Sequence, residues 1–176
     1  MLLLSALLAS SIAMSVAASD EYHVEIRDGQ FVAGCNKFAV AGFNAWEYPE
    51  AAAGAPFTFG ANVPDGMTSP ELVRTQLEKA KAAGFNTVRA WVAPVSPQYA
   101  LQDSPGEFNE AALEGLDYLL DEARKNGIRV ILSLTTNWSP TGGLPQYLEW
   151  AGSGNQADFY NDPQIKAWYK DMVTTV

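Results

Sequence analysis

Three short apolar runs, FAVAGF (38–43), NTVRAWV (86–92) and IRVILSL (128–134), are each followed by helix signals, and this alternation limits what the chain can become. Runs so short and apolar predict strands buried on both faces. Ser69-Pro70-Glu71 reads as an N-cap, a first-turn proline and an early carboxylate, after which Leu72, Val73, Leu77, Ala80 and Ala83 recur at helical spacing up to Gly84. A second helix opens at Asn109, with a stripe of Leu113, Leu116, Leu120 and Ala123, basic Arg124 and Lys125 in its last turn, and Gly127 as its stop. A third opens at Asp162-Pro163 and carries Ile165, Trp168, Tyr169, Met172, Val173 and Val176. Strand–helix alternation of this kind predicts parallel strands joined by right-handed crossovers.

An open doubly wound sheet and a (β/α)8 barrel both satisfy that pattern. Connections after the strands are long and irregular (44–68, 93–108, 135–161), whereas the returns from helix to strand are short turns at Gly84 and Gly127. Elaboration on the C-terminal side of every strand favours the barrel, and no GxGxxG or GxxxxGK motif supports a nucleotide site. Upstream, residues 23–34 alternate apolar and polar around Asp28-Gly29, predicting a type I′ hairpin as an N-terminal cap. The expected fold is therefore α/β: a β-hairpin cap and the first three βα units of a (β/α)8 barrel. Since a whole barrel takes about 250 residues, the barrel is incomplete in this chain, and a C-terminally truncated piece of a longer product is expected. Uncovered barrel-facing side chains predict association or degradation rather than a stable monomer.

Eleven Lys and Arg against 20 Asp and Glu leave a net charge of −9, which disfavours nucleic acid and anionic membranes as partners. The first 19 residues carry no charged side chain and end in small residues, predicting a secretory leader (1–18) before a partial catalytic domain (19–176), hence secretion without stable membrane insertion. One cysteine, Cys35, and one histidine, His23, cannot build a Cys/His zinc site, and no metal or organic cofactor is expected. Cys35 is read either as a small buried hydrophobe or as the partner of a cysteine on another chain.

Polar and aromatic residues gather at the strand ends: Asn44 and Trp46, Arg89 and Trp91, Asn137 and Trp138. Arg89 interrupts an apolar strand, so a buried guanidinium paired with a carboxylate is expected, either orienting a catalytic group or bracing a barrel rim. The tryptophans could present flat faces to the C–H surfaces of a sugar ring, or simply fill the core. Asn137-Trp138-Ser139 is a glycosylation sequon, expected to stay unmodified because Trp138 and Pro140 make it a poor acceptor.

The segment 99–138, then GGLPQYLEWA (142–151) and NDPQIKAWYKDMV (161–173), with VAGFNAW and VRAWV upstream, resembles the N-terminal part of glycoside hydrolase family 5, in particular its endo-β-1,4-mannanases. Glu47-Tyr48-Pro49 and the segment 57–67 depart from that pattern. The resemblance implies a secreted retaining glycosidase acting on internal β-1,4-mannosidic bonds of a polysaccharide such as mannan or glucomannan. Its two glutamates, roughly 5–5.5 Å apart, are expected after the fourth and seventh strands, beyond Val176. It further implies Arg89 as the nucleophile-orienting arginine and Trp91, Asn137 and Trp138 as cleft residues, with Asn44 and Trp46 beside them. Glu47, Glu50, Glu107 and Glu110 receive no catalytic role from it. An endo-β-1,4-glucanase of the same family and a non-catalytic carbohydrate-binding protein stand as alternatives.

Overall fold

The computed structural model describes residues 23–57, 64–138 and 142–176. The leader, most of the 57–67 insertion and Ser139 of the sequon lie outside the described residues. The chain divides into two units after Phe38. In the first, β1 (Val24–Arg27) and β2 (Gln30–Ala33) pair antiparallel, with Arg27 opposite Gln30. Asp28 (φ 50°) and Gly29 (φ 72°) both take the left-handed conformation that a two-residue I′ turn requires. A short third strand, β3 (Asn36–Lys37), pairs with β2, so the hairpin is extended into a three-stranded sheet. Cys35, in the turn before β3, is exposed, which removes the buried-hydrophobe reading.

The second unit is built on a three-stranded parallel sheet in the order β4 (Gly42–Asn44), β5 (Thr87–Trp91), β8 (Arg129–Ser133). Between these strands run the crossover helices α2 (Ser69–Ala82) and α3 (Glu110–Lys125). The N-cap of α2 is Thr68, one residue before the expected Ser69. Its hydroxyl accepts from Glu71 N–H while the Glu71 carboxylate accepts from Thr68 N–H at 2.8 Å, a reciprocal capping box. Asn109 caps α3 as the sequence predicts. The helix α6 (Pro163–Thr175) is capped by Asp162, whose Oδ1 accepts from Gln164 N–H at 2.7 Å and Ile165 N–H at 3.1 Å.

Three expectations are corrected. The strands are not buried on both faces: Val88 and Ala90 point into the helix-covered core, whereas Asn44, Arg89 and Ile131, in register across the sheet, are exposed. Helices cover the Val88 and Ala90 side, and on the other side Asn44, Arg89 and Ile131 stand exposed. The first parallel strand begins at Gly42, not Phe38, because residues 39–41 are anchored instead by Asn86, whose Oδ1 accepts from Ala41 N–H at 2.9 Å and whose Nδ2 donates to the Ala39 carbonyl at 2.8 Å. The strand-end connections are not irregular. They hold α1 (Tyr48–Ala52), the antiparallel pair β6 (Gln102–Ser104) and β7 (Glu107–Phe108), and the helices α4 (Leu144–Trp150) and α5 (Asp158–Asn161).

Packing follows from these placements. A first cluster sets Tyr48, Ala51 and Ala52 of α1 against Val73 and Leu77 of α2, Leu119 and Ala123 of α3, and Val88 and Ala90 of β5. The buried stripe of α3 runs through Ala112, Gly115, Leu116, Leu119 and Ala123, so Leu119 takes the core place expected for Leu120. Gly115 is there because α1 crosses it at contact: a Cβ at that position would lie 2.6 Å from both the Cβ and the N of Ala53. A second cluster is aromatic, with Tyr147 ringed by Trp150, Phe159 and Tyr169 in edge-to-face contacts at centroid distances of 5.2–5.8 Å. On α6, Ile165 and Met172 are buried but Val173 is exposed, a narrower stripe than the spacing predicts.

Candidate functional site

Backbone pairing continues past the short strand β4. Ala45 N–H donates to the Arg89 carbonyl at 2.9 Å, Trp91 N–H to the Trp46 carbonyl at 3.2 Å, and Val92 N–H to the Ser133 carbonyl at 3.0 Å. This extended register sets Trp46 beside Trp91, with ring centroids 5.4 Å apart and planes tilted by 44°. Trp138 meets Trp91 edge-on, at 6.5 Å and 76°. Three tryptophans from three successive strand ends therefore stand in one row with Trp91 in the middle. Trp138 is 61% exposed, too much for a core role, whereas Trp46 and Trp91 are half-buried. Such a row offers apolar ring surface and edge to a ligand with C–H faces.

Arg89 departs from expectation. It is exposed, and among the described residues no carboxylate pairs with it. Its Nη1 donates to Asn44 Oδ1 at 3.5 Å, and its Cζ lies 5.9 Å from the Trp91 ring. On an open sheet face water hydrates the guanidinium, so no desolvation cost compels an ion pair. Asn44 and Arg89 thus sit together beside the tryptophan row, in a shallow hollow that also takes in Gly42, Thr87 and Ile131. Asn137 follows the third strand, and its Oδ1 accepts from Gln156 Nε2, which ties the Trp138 turn to the segment before α5. Five of the six residues singled out by the sequence lie at or just beyond the C-terminal ends of the parallel strands, and Arg89 stands at the centre of β5. Contacts among them link Asn44, Arg89, Trp91, Trp46 and Trp138, with Asn137 next to Trp138 in the chain.

The four local glutamates separate into two pairs. Glu107 and Glu110 are exposed, in β7 and the first turn of α3. Glu47 and Glu50 are buried around α1, a placement the sequence did not reveal, and Pro49 at the start of a helix was its only local signal. Burial pushes the Glu50 carboxyl above its ordinary value. The Ser96 N–H, donating to Oε2 at 3.1 Å, opposes that rise, and the neighbouring Glu47 adds to it. Among the described residues no cluster of three or more His, Cys, Asp or Glu could hold a metal, and no helix is long and apolar enough to cross a membrane.

A family model described as GH family 5 beta-mannosidase-like matches residues 21–176. The chain belongs to this family. Within it, the chain is 35% identical over 159 residues to mannan endo-1,4-beta-mannosidase 4 of Oryza sativa subsp. japonica, covering 87% of this chain and 32% of that protein. It is 32% identical over 180 residues to a putative mannan endo-1,4-beta-mannosidase 4 of Arabidopsis thaliana, covering 99% of this chain and 41% of that one. The family 5 chain thus spans about a third to two fifths of the length of these curated relatives. Its structure resembles the glycoside hydrolase family 5 mannosidase of Rhizomucor miehei with a TM-score of 0.70 at 22% identity, covering 90% of this chain and 43% of that one. That likeness is one of fold, to a (β/α)8 barrel of which this chain matches part and within which its own sheet does not close.

Proposed function

We propose that this chain forms the opening three βα units of a secreted endo-β-1,4-mannanase barrel, and that the Trp46–Trp91–Trp138 row is one wall of its glycan cleft. The observation that carries the reading is the meeting of three tryptophans from successive strand ends, with Trp138 largely exposed. Arg89, Asn44 and Asn137 supply hydrogen-bonding groups beside that wall. In this reading residues 1–18 are a leader, and mannan or glucomannan threads past the row. Bond cleavage is a retaining double displacement between two glutamates, and none of the glutamates among residues 23–176 serves as either. Arg89 orients the nucleophile once the open sheet face is covered. Relatives named as mannan endo-1,4-beta-mannosidases support mannan over glucan.

The test is titration of the purified chain with mannohexaose and cellohexaose, following tryptophan fluorescence and reducing ends. Quenching by mannohexaose that is lost in Trp91→Ala, with no sugar released, is the expected result. Preference for cellohexaose overturns the substrate assignment, and release of reducing ends overturns the assignment of catalysis to residues outside this chain.

A further inference from the structure

The segment Glu47-Tyr48-Pro49, which departs from the family pattern, leads into a feature that the glycan wall alone does not explain. Beneath the wall, between α1 and the end of β5, lies a cavity lined by Glu50, Trp91, Val92, Tyr99, Leu101 and Leu116 among others. Two polar atoms of its lining residues are buried with no hydrogen-bond partner among the described residues: Glu50 Oε1 and Trp91 Nε1. The rest of the named lining is mostly apolar. Buried polar atoms seldom stay unpaired, and two on residues lining one cavity call for a shared mediator. Counted over the positions that a water centre can take, the cavity measures about 10 Å³, room for a single water.

Only one of the two atoms needs a donor. The indole N–H donates, and Glu50 Oε1, with its companion oxygen already accepting from Ser96 N–H at 3.1 Å, is the natural acceptor of the mediator's own hydrogen. The carboxylate is itself held in place. It rides on α1, whose Tyr48 hydroxyl donates to Gln76 Oε1 of α2 and whose Ala51 and Ala52 are packed in the core. Trp91 stands between Trp46 and Trp138, so any rotation of its indole moves the middle of the row.

We propose that Glu50 is a positioning residue for the glycan wall: one buried water bridges Glu50 Oε1 and Trp91 Nε1, and so fixes the rotation of the indole between its two neighbours. The proposal rests on the reading of the tryptophan row as glycan-contacting surface.

The test uses the full 176-residue chain with 15N-labelled tryptophan. Trp91→Phe identifies the Trp91 indole signal among the five tryptophans. The expected result is a magnetisation-transfer cross-peak between that indole proton and a long-lived water, retained in Glu50→Gln and lost in Glu50→Leu, with the other indole signals in place to show that the fold persists. Mannohexaose affinity should fall about threefold to tenfold in Glu50→Leu and stay near wild type in Glu50→Gln. Absence of the water cross-peak in the wild-type chain overturns the proposal without recourse to any Glu50 variant, as does its persistence in Glu50→Leu. If the cross-peak depends on Glu50 but neither Glu50→Leu nor Trp91→Ala changes glycan affinity, the bridge stands and the glycan-wall reading fails. If Trp91→Ala abolishes binding while Glu50→Leu leaves affinity unchanged, the wall stands and the positioning role fails.

Discussion

Gly115→Ala places the most direct demand on the contact that shapes this site. The new Cβ would meet Ala53 Cβ and N at 2.6 Å and Cα at 2.8 Å. Carbon atoms pack optimally about 3.5–4.0 Å apart, so α1 and α3 must separate by roughly 1 Å. Two of the three obstructing atoms are backbone, so no side-chain rotation relieves the clash. Overpacking of this kind costs about 1–3 kcal/mol, and the better helix propensity of alanine returns at most about 1 kcal/mol. With backbone atoms in the clash the upper part of that range applies, about 2–3 kcal/mol, so a net loss of about 1–2 kcal/mol lowers the urea midpoint by roughly 0.5–1 M for an ordinary m-value.

Equilibrium urea unfolding, read by far-UV circular dichroism, measures this. Removing the opposing Cβ in Ala53→Gly/Gly115→Ala should restore only part of the loss, because Ala53 N and Cα still obstruct. A Gly115→Ala chain as stable as wild type refutes the argument that close approach of the two helices dictates glycine there. Full rescue by the double substitution would show that the clash lies between side chains alone.

Tyr147→Phe removes the hydroxyl that donates to buried Gln102 Oε1 at 2.8 Å and leaves an unpaired acceptor. About 1–3 kcal/mol of stability should go with it, read as a lower thermal midpoint. The exposed Glu71 carboxyl is held below its ordinary value by the N–H and hydroxyl of Thr68. Because the folded value is depressed, its contribution is present above the unfolded carboxylate range and disappears as pH falls through the folded value. The stability difference between wild type and Glu71→Gln should therefore be constant near neutrality and shrink in acid, and a difference that grows in acid contradicts the sign. Trp138→Ala should leave the urea midpoint almost unmoved, since the ring is 61% exposed, while weakening mannohexaose binding about twofold to tenfold.

Signals confined to a few neighbouring residues were legible. Asp28-Gly29 specifies its turn through two left-handed residues, and Asn109 and Asp162 specify helix starts through side-chain bonds to N–H groups two or three residues on. Parallel pairing followed from alternation, and the grouping of the six singled-out residues followed from parallel pairing. Features that depend on distant partners were hidden. Nothing near Gly115 announces Ala53, and nothing in the run AWEYPEAA announces that Glu50 is buried against the 94–96 turn. The short helix α1 has no side-chain N-cap to mark it, and its core role comes from Tyr48, Ala51 and Ala52 meeting α2 and α3. The aromatic cluster around Tyr147 joins α4, α5 and α6 across residues that read as loop.

Arg89 shows how one residue takes opposite energetic roles according to what covers it. In this chain the guanidinium is exposed, with a 3.5 Å contact to Asn44 and its Cζ over the Trp91 ring, 5.9 Å from the centroid. Arg89→Met should therefore cost no more than about 1 kcal/mol, the worth of an exposed cation–π contact and a long hydrogen bond. Had the guanidinium been buried against a carboxylate, removing it would strand the partner charge and cost about 3–5 kcal/mol. Urea unfolding of Arg89→Met separates these cases by a margin well outside measurement error. A loss above about 3 kcal/mol would mean that the sheet face is covered in solution, by another copy or by further chain. A loss near zero fits an arginine left hydrated and free to accept a carboxylate when one arrives, as the glycosidase reading requires.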